Sequence, residues 1–492
     1  MLKKLWRWLD KNPGLVLILL LTIILRIPSL FEPYWYGDEG IYLALGQAVR
    51  KGLVLYRDIH DNKPPLLYLI AALAGNVFYF RLILMIWFGV AVGVFFRLMQ
   101  VLFPKNKAAW YVSTAAMIVL TTMFEGNIAN AEIFIVLPVT IGVLLAYQWV
   151  KKSTNWWQWL IIGLLFAMGF LFKVPAGFDL VAVLIWLVAF AGLRLTDKRP
   201  WLIVIGFLTP VVLSVVYYAY QGAFEPYVRS ALMQNIGYLA SWKTGEQSAS
   251  GFTSQSGLVN RGAVLAIVLA GFCFLARRFK LSAGAKLTIV WFLLALFGAL
   301  LSERPYPHYL IQSAVPAAVL ISYFLFGQRK LMKLVVMVVM IVAGWYYYQI
   351  RFWHYPVIPY YQNFIEYALG KKSLDKYRSF FDWRVNQIYQ VAAYLRTKTL
   401  PENRVFIWGD EPYIYALAKR LPPGRYTVAY HVIDFDGYQE TMTAWQKHEP
   451  KVVIVMAYEK REFPELEAVL KNDYVLVEQI EAALIYRRLD SI

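Results

Sequence analysis

Soon after its first apolar run the chain reads Gly37-Asp38-Glu39-Gly40, followed by Arg57-Asp58, Asp61 and Lys63-Pro64-Pro65. Further on come Glu125, Glu132, Lys173 and the string Arg304-Pro305-Tyr306-Pro307-His308-Tyr309. A carboxylate can take the proton of an attacking hydroxyl, and a compact ammonium can meet a phosphate. Ionisable residues set between hydrophobic segments are costly, which makes such a set a functional site by default. The chemistry it suits is a group transfer in which one acid serves as base while cations and hydrogen-bond donors hold an anionic leaving group.

Each residue also has a plainer reading. Asp38 opens a stretch in which Ile41, Ala44, Leu45, Ala48 and Val49 form an apolar stripe opposite Gln47, Arg50 and Lys51, predicting an amphipathic helix in the membrane interface. Asp38 then serves either as that helix's cap or as a general base, and the base is the reading adopted. Adjacent helical residues diverge by about 100°, so Glu39 cannot share that job and is assigned to substrate binding with Asp61. Lys63 is either a snorkelling lysine or a phosphate ligand held at a rigid entry by two prolines. Lys173 lies between two apolar runs on the face that should avoid cations. Glu132, at a helix start, would be expensive facing lipid and should face protein, binding hydroxyls or a cation. Arg304, His308 and Tyr309 offer donors to a phosphate or a developing charge.

These residues sit in a chain of 492 residues, 59% of them hydrophobic, with a mean hydropathy of +0.49, too apolar for an ordinary soluble domain. Net charge is +18, but the basic residues fall mostly between apolar runs, which points to membrane orientation and away from nucleic acid. The single cysteine, Cys273, excludes an internal disulfide. Lys3, Lys4 and Arg7 before a long apolar run predict a retained anchor with a cytoplasmic N-terminus.

The apolar runs are 13–31, 64–80, 81–103, 108–124, 130–149, 156–172, 175–193, 200–220, 259–276, 285–302, 306–326 and 331–349. Counting all as crossings places Lys105 and Lys107 outside. Omitting only 64–80 leaves the basic loops inside: Lys105/Lys107, Lys151/Lys152, Arg194/Lys198/Arg199, Arg277/Arg278/Lys280/Lys286 and Arg329/Lys330/Lys333. The expectation is a polytopic α-helical protein of about eleven crossings, with 64–80 as a hydrophobic helix in the outer leaflet; a true span there is the competing reading. All the residues singled out above then reach the outer face of a multi-pass cell-membrane protein. Residues 1–350 form the transmembrane catalytic domain under this reading, and 351–492 an extracytoplasmic α/β domain with a helix over 374–396, a strand at 404–408, a helix over 413–420 and strands near 451–456, 474–477 and 482–487. The outer loop 221–260 predicts a surface helix over 224–240, then a polar segment from 244 to 257 that is a linker or a substrate-gating flap.

Nucleotide sugars are scarce outside the cytoplasm and the chain has no nucleotide-binding motif, whereas a polyprenyl-phosphate sugar keeps its tail in the bilayer and its phosphate at the surface. Its leaving phosphate is a stable anion that needs cations more than an acid. With Asp38-Glu39, Lys63-Pro64, Glu132, Lys173 and His308-Tyr309 in this order, the chain resembles the membrane glycosyltransferases of the GT-C fold. The likeness, over most of the membrane domain, is to the family 39-like bacterial branch near the protein O-mannosyltransferases and the lipid A aminoarabinose transferase. The resemblance implies that Asp38 is the catalytic base of an inverting hexosyl or pentosyl transfer and that Lys63 and Tyr309 hold the lipid phosphate. Relatives often carry Asp where Glu132 stands. Some carry a metal-ligating acid before the Lys-Pro pair; here that residue is Asn62, so no cofactor is assured and a divalent cation stays open. The acceptor is a glycan, a lipid or a protein. A polysaccharide polymerase or ligase with a lipid-diphosphate donor is the alternative, though its usual basic outer loop is lacking in 221–260. A transporter of lipid-linked sugars would place polar groups at mid-span, which the pattern does not show.

Overall fold

The computed structural model describes residues 7–152, 155–234, 255–278, 281–301 and 304–491. Every apolar run except 64–80 is covered by a helix, beginning with Pro13–Leu30 and ending with Lys330–Ile350. Among the described residues, six helices are long and apolar enough to cross a membrane: Pro13–Leu30, Val77–Leu102, Ala131–Trp149, Lys198–Tyr220, Pro307–Phe326 and Lys330–Ile350. Shorter apolar helices lie at Trp156–Phe172, Val174–Ala189 and Ala283–Ala299. The run 64–80 is a nine-residue helix, Leu66–Ala74, closed by Gly75 at φ +72° before Val77–Leu102 begins. Nine residues rise about 14 Å, short of a hydrocarbon core of about 30 Å, so this segment does not cross by itself.

Packing groups the chain into two compact units that do not follow the chain-order division at 350/351. The first is Met1–Ile27, Ile83–Val216 and Leu232–Val357; the second is Pro28–Leu82, Tyr217–Ala231 and Ile358–Ile492. The C-terminal region thus packs with the segment that carries Asp38 and Lys63.

In the second unit the sheet runs β1-β2-β4-β3, with β1 Val405–Trp408, β2 Val452–Met456, β3 Tyr474–Ile480 and β4 Ala483–Arg488. β1 and β2 are parallel, while β4 is antiparallel to both β2 and β3. Phe406, Trp408, Trp445, Val453, Phe463 and Tyr474 form a core on the sheet. The single helix expected over 374–396 is two helices, Leu374–Ser379 and Val385–Lys398. Asp382 interrupts it: its Oδ1 accepts from the Arg384 backbone N–H at 2.8 Å and from the same residue's guanidinium at 3.0 Å.

The helix Gly37–Arg50 is not the one-sided interface helix that its stripe predicts. Every residue from Glu39 to Ala48 is buried. Gly46 permits close approach to Leu66–Ala74, since a Cβ there would lie 2.5 Å from the Ala72 backbone nitrogen. Gly40 does the same against Tyr413, whose backbone nitrogen would be 2.8 Å away. Gln47, assigned to the polar face, is buried and donates to the Arg420 carbonyl at 2.8 Å. Neighbours on both sides, distant in sequence, bury the face that looked exposed.

In the first unit, the helix Trp156–Phe172 stops at Lys173, which is extended at φ −156°, before the short 3-10 turn Val174–Ala176 and the helix Gly177–Ala189. A second 3-10 turn, Pro307–Leu310, leads into Ile311–Phe326. Of the surface helix expected over 224–240, the described part is Phe224–Tyr227 followed by a π-helical turn, Val228–Met233. The rest of it, and residues 244–254 of the expected flap, lie outside the described residues.

Candidate active site

The residues singled out from the sequence form two clusters, one within each unit. In the second unit Asp38 stands in the first turn of Gly37–Arg50. One turn on, Tyr42 reaches back and donates its hydroxyl to Asp38 Oδ2 at 2.9 Å. Lys63 Nζ lies 3.3 Å from the same oxygen, 4.0 Å from Asp61 Oδ2 and 4.8 Å from the Tyr42 ring centroid. The Asp38 side chain is 36% exposed and that of Lys63 16%. A carboxylate open to solvent, with a shielded ammonium beside it, is arranged to receive a proton next to a site for an anion.

The backbone of Lys63 is pinned from both sides. Its carbonyl accepts from the Tyr56 hydroxyl at 2.8 Å, and its N–H donates to the Tyr68 hydroxyl at 3.0 Å. Tyr68 in turn donates to Asp61 Oδ2 at 2.8 Å. Tyr56 is fully buried at φ +71° and packs on Tyr218 and Tyr227, each at 5.1 Å. A left-handed conformation at a bulky residue is strained and persists only where its surroundings fix it. Burial pushes both the Tyr56 and Tyr68 hydroxyls well above the usual tyrosine range, so they remain neutral donors.

Glu39, assigned to substrate binding, has a different place. It is 2% exposed and gives both carboxylate oxygens to Arg81, with Nε to Oε1 at 2.9 Å. Arg81 also meets Glu32 at 2.6 Å and the Ser29 carbonyl at 3.0 Å. Glu32 accepts from Tyr360 at 2.6 Å and Trp35 at 2.8 Å. Burial pushes the Glu32 carboxyl up, against the pull of Arg81. Among the described residues, these contacts place Glu39 in a buried ion network centred on Arg81. Asp58 makes a turn with the Val54 N–H and Arg57, whose hydrogen bonds hold its carboxyl below the usual range.

The first unit holds Glu125, Glu132, Lys173, His308 and Tyr309. His308 Nδ1 is 2.8 Å from Glu125 and its Nε2 is 3.7 Å from Glu132. Glu132 pairs with Lys173, whose Nζ sits 3.9 Å over the Tyr309 ring. Glu125 is fully buried at φ +61°. The carbonyl of the following Gly126 accepts from Arg26 at 2.8 Å. Asp179 binds Trp291 at 2.6 Å and Gln312 at 2.8 Å, while Gln312 also donates to the Pro175 carbonyl at 2.9 Å. The turn bearing Lys173 is thereby tied to the helix that follows Tyr309. Arg304 lies on the approach to that turn, partly buried. Among the described residues, no group of three or more His, Cys, Asp or Glu is placed to hold a metal ion.

Two histidines in the second unit had no role in the sequence reading. His60 and His431 are 2% and 3% exposed, with ring centroids 5.2 Å apart. Burial and then the Lys63 charge lower His431 to about 3, with Asp38 pulling the other way; burial and then His431 take His60 well below its usual value. Both are neutral when folded but protonate near their ordinary value when unfolded, so their contribution to stability is intact above about pH 6.5 and lost as pH falls. Thermal melts of the purified protein should therefore fall from pH 6.5 toward 4. His431→Gln should flatten the slope by up to about 1.4 kcal/mol per pH unit; an unchanged slope would show that His431 titrates alike in both states.

Residues 62–218 match the family model of the dolichyl-phosphate-mannose-protein mannosyltransferases. No curated relative matches the sequence. Among solved structures, the chain is similar to ArnT from Cupriavidus metallidurans, crystallised with undecaprenyl phosphate, at 11% identity and a TM-score of 0.55, over 96% of this chain and 98% of that one. It is also similar to the apo oligosaccharyltransferase of Archaeoglobus fulgidus, at 13% identity and a TM-score of 0.47, over 92% and 70% of the two chains. The ArnT likeness shows the fold: the chain has the GT-C architecture of a multi-pass membrane protein, and its residues 62–218 are similar to the mannosyltransferase family model.

Proposed function

We propose that the protein is an inverting glycosyltransferase that moves a hexosyl or pentosyl group from a polyprenyl-phosphate sugar to a glycan, lipid or protein acceptor at the extracytoplasmic membrane face. The observation that carries this is the half-open Asp38 carboxylate beside the shielded Lys63 ammonium, 3.3 Å apart. In the resting site Lys63 and Tyr42 both bind the same Asp38 oxygen. A donor phosphate draws the ammonium toward itself and frees the carboxylate. The acceptor oxygen then attacks the anomeric carbon from the side opposite the phosphate, and its proton passes to Asp38. The bond between that carbon and the phosphate oxygen breaks, with its electron pair leaving on polyprenyl phosphate, where Lys63 offsets the charge. Backside attack inverts the anomeric centre. Lys173, Tyr309, His308, Glu132 and Arg304 are assigned to substrate binding. The undecaprenyl phosphate bound by ArnT supports a donor of this class.

The test is an assay of the purified, reconstituted protein with radiolabelled polyprenyl-phosphate sugars, one sugar at a time, beside the matching lipid-diphosphate sugars. Transfer from a monophosphate donor is expected. Transfer from diphosphate donors alone would replace this reading with a polymerase or ligase.

The orientation has its own test. In a Cys273→Ser background, Lys105→Cys should react with a membrane-impermeant maleimide only after cells are permeabilised. Reaction in intact cells would reverse the orientation.

A further inference from the structure

His431 is contributed by a six-residue helix, Ala429–Asp434, more than 360 positions beyond the segment whose carboxylates it faces. Its Nε2 lies 3.9 Å from Asp61 Oδ1, a gap that a small ring movement closes to a hydrogen bond. The other nitrogen, Nδ1, is buried, and none of the described residues hydrogen-bonds it. A ring held neutral carries one N–H, and the carboxylate facing it at that range among the described residues is Asp61. The charged and titratable groups around it are Lys63, Asp38, Asp61 and His60, the same groups that make up and flank the candidate base and phosphate ligand.

The position is firmly built. The Ala429 N–H donates to the Gly409 carbonyl at 3.0 Å, and the Tyr430 N–H to Asp410 at 3.2 Å. The His431 ring contacts Tyr430 at 4.5 Å and Phe435 at 5.9 Å. The loop segment bearing His60 is clamped to the same region, since the His60 N–H donates to the Arg425 carbonyl at 2.9 Å. A site that needed only packing would take Phe or Leu at less cost than a buried imidazole with an unmet nitrogen. Asp61, for its part, receives the Tyr68 hydroxyl on Oδ2, the oxygen nearer Lys63, while Oδ1 is the oxygen turned to His431.

We propose that His431 is a positioning residue of the transfer site: by donating Nε2–H to Asp61 it fixes the carboxylate that, with Asp38, brackets the Lys63 ammonium. The C-terminal domain is then part of the phosphate end of the active site, in addition to any contact it makes with the acceptor. This rests on the reading of Lys63 as the phosphate ligand, so the experiment must separate the two.

The measurement is binding of undecaprenyl phosphate to the full-length protein in nanodiscs, which requires neither the sugar nor the acceptor. Lys63→Met should abolish saturable binding. His431→Phe, which keeps the ring packing but has no N–H, should weaken binding about tenfold, the lower end of the range for partners that orient a ligand-binding group. His431→Gln, which can still donate, should bind within about threefold of wild type, a difference that a purely structural role would not produce. Wild-type binding by His431→Phe alongside loss by Lys63→Met would overturn the inference alone, as would equal loss in the Phe and Gln variants. Wild-type binding by Lys63→Met would overturn the reading beneath it. If His431→Phe does not fold, Asp61→Asn removes the charge His431 addresses and leaves its ring in place; it should give the same loss, and undiminished binding would overturn the proposal.

Discussion

Asp38→Asn should abolish sugar transfer, lowering kcat by about 10²- to 10⁴-fold, the range for loss of a positioned general base. The amide is nearly isosteric with the carboxylate but cannot accept the acceptor's proton. Stability should change little. The side chain is 36% exposed, so its pairing with Lys63 is partly screened, and about 1 kcal/mol is an upper figure for such a contact. Undecaprenyl phosphate should bind Asp38→Asn about as well as it binds wild type, because Asp61 still holds the Lys63 ammonium in place. Expression, melting temperature, phosphate binding and transfer measured on the same preparation distinguish loss of the base from loss of the fold. Full transfer by Asp38→Asn would remove Asp38 as the base.

The other large effect is on folding. Arg81 is fully buried between Glu32 and Glu39, with 0% side-chain exposure. Replacing it with Met leaves two carboxylates buried without their cation, a change that costs about 3–5 kcal/mol when one partner of a buried pair is lost. For a protein of ordinary stability that is a large share of the total. Arg81→Met should therefore give low yield, or a melting temperature far below wild type in detergent. Combining it with Glu32→Gln and Glu39→Gln removes the stranded charges and should recover most of the loss. If Arg81→Met melts like wild type, or the triple variant is no better than the single one, the network is not the structural element described here. The comparison also bears on Glu39: a residue that lowers activity only as far as it lowers stability is not a substrate ligand.

How much of this was legible in the sequence depends on where each residue's partners lie. Asp38 and Lys63 could be found because local features announce them: a carboxylate in the first turn of a helix, and a lysine before two prolines at a membrane boundary. The helices covering the apolar runs and the four strands of the C-terminal region follow from local periodicity in the same way. The burial of Gly37–Arg50 could not be read, because Ala72 and Tyr413 are what cover it. The pairing of Glu39 could not be read for a related reason. Its partner, Arg81, is 42 positions on and near the start of an apolar helix, where a cation looks like a boundary residue. Tyr42, one turn after Asp38, was within reach of an i,i+4 argument that the apolar stripe obscured. His60 and His431 are separated by the whole membrane domain, and no local pattern joins them. Asp179 was hidden inside an apolar run, although an acid in such a run is itself a signal.

The most direct test of the account is a structure of the protein in nanodiscs with undecaprenyl phosphate bound. The predicted result is the phosphate within hydrogen-bond distance of Lys63 Nζ, with the ammonium drawn off Asp38 and the Asp38 carboxylate open toward solvent. A phosphate bound away from Lys63, with the Lys63–Asp38 pair undisturbed, would contradict it.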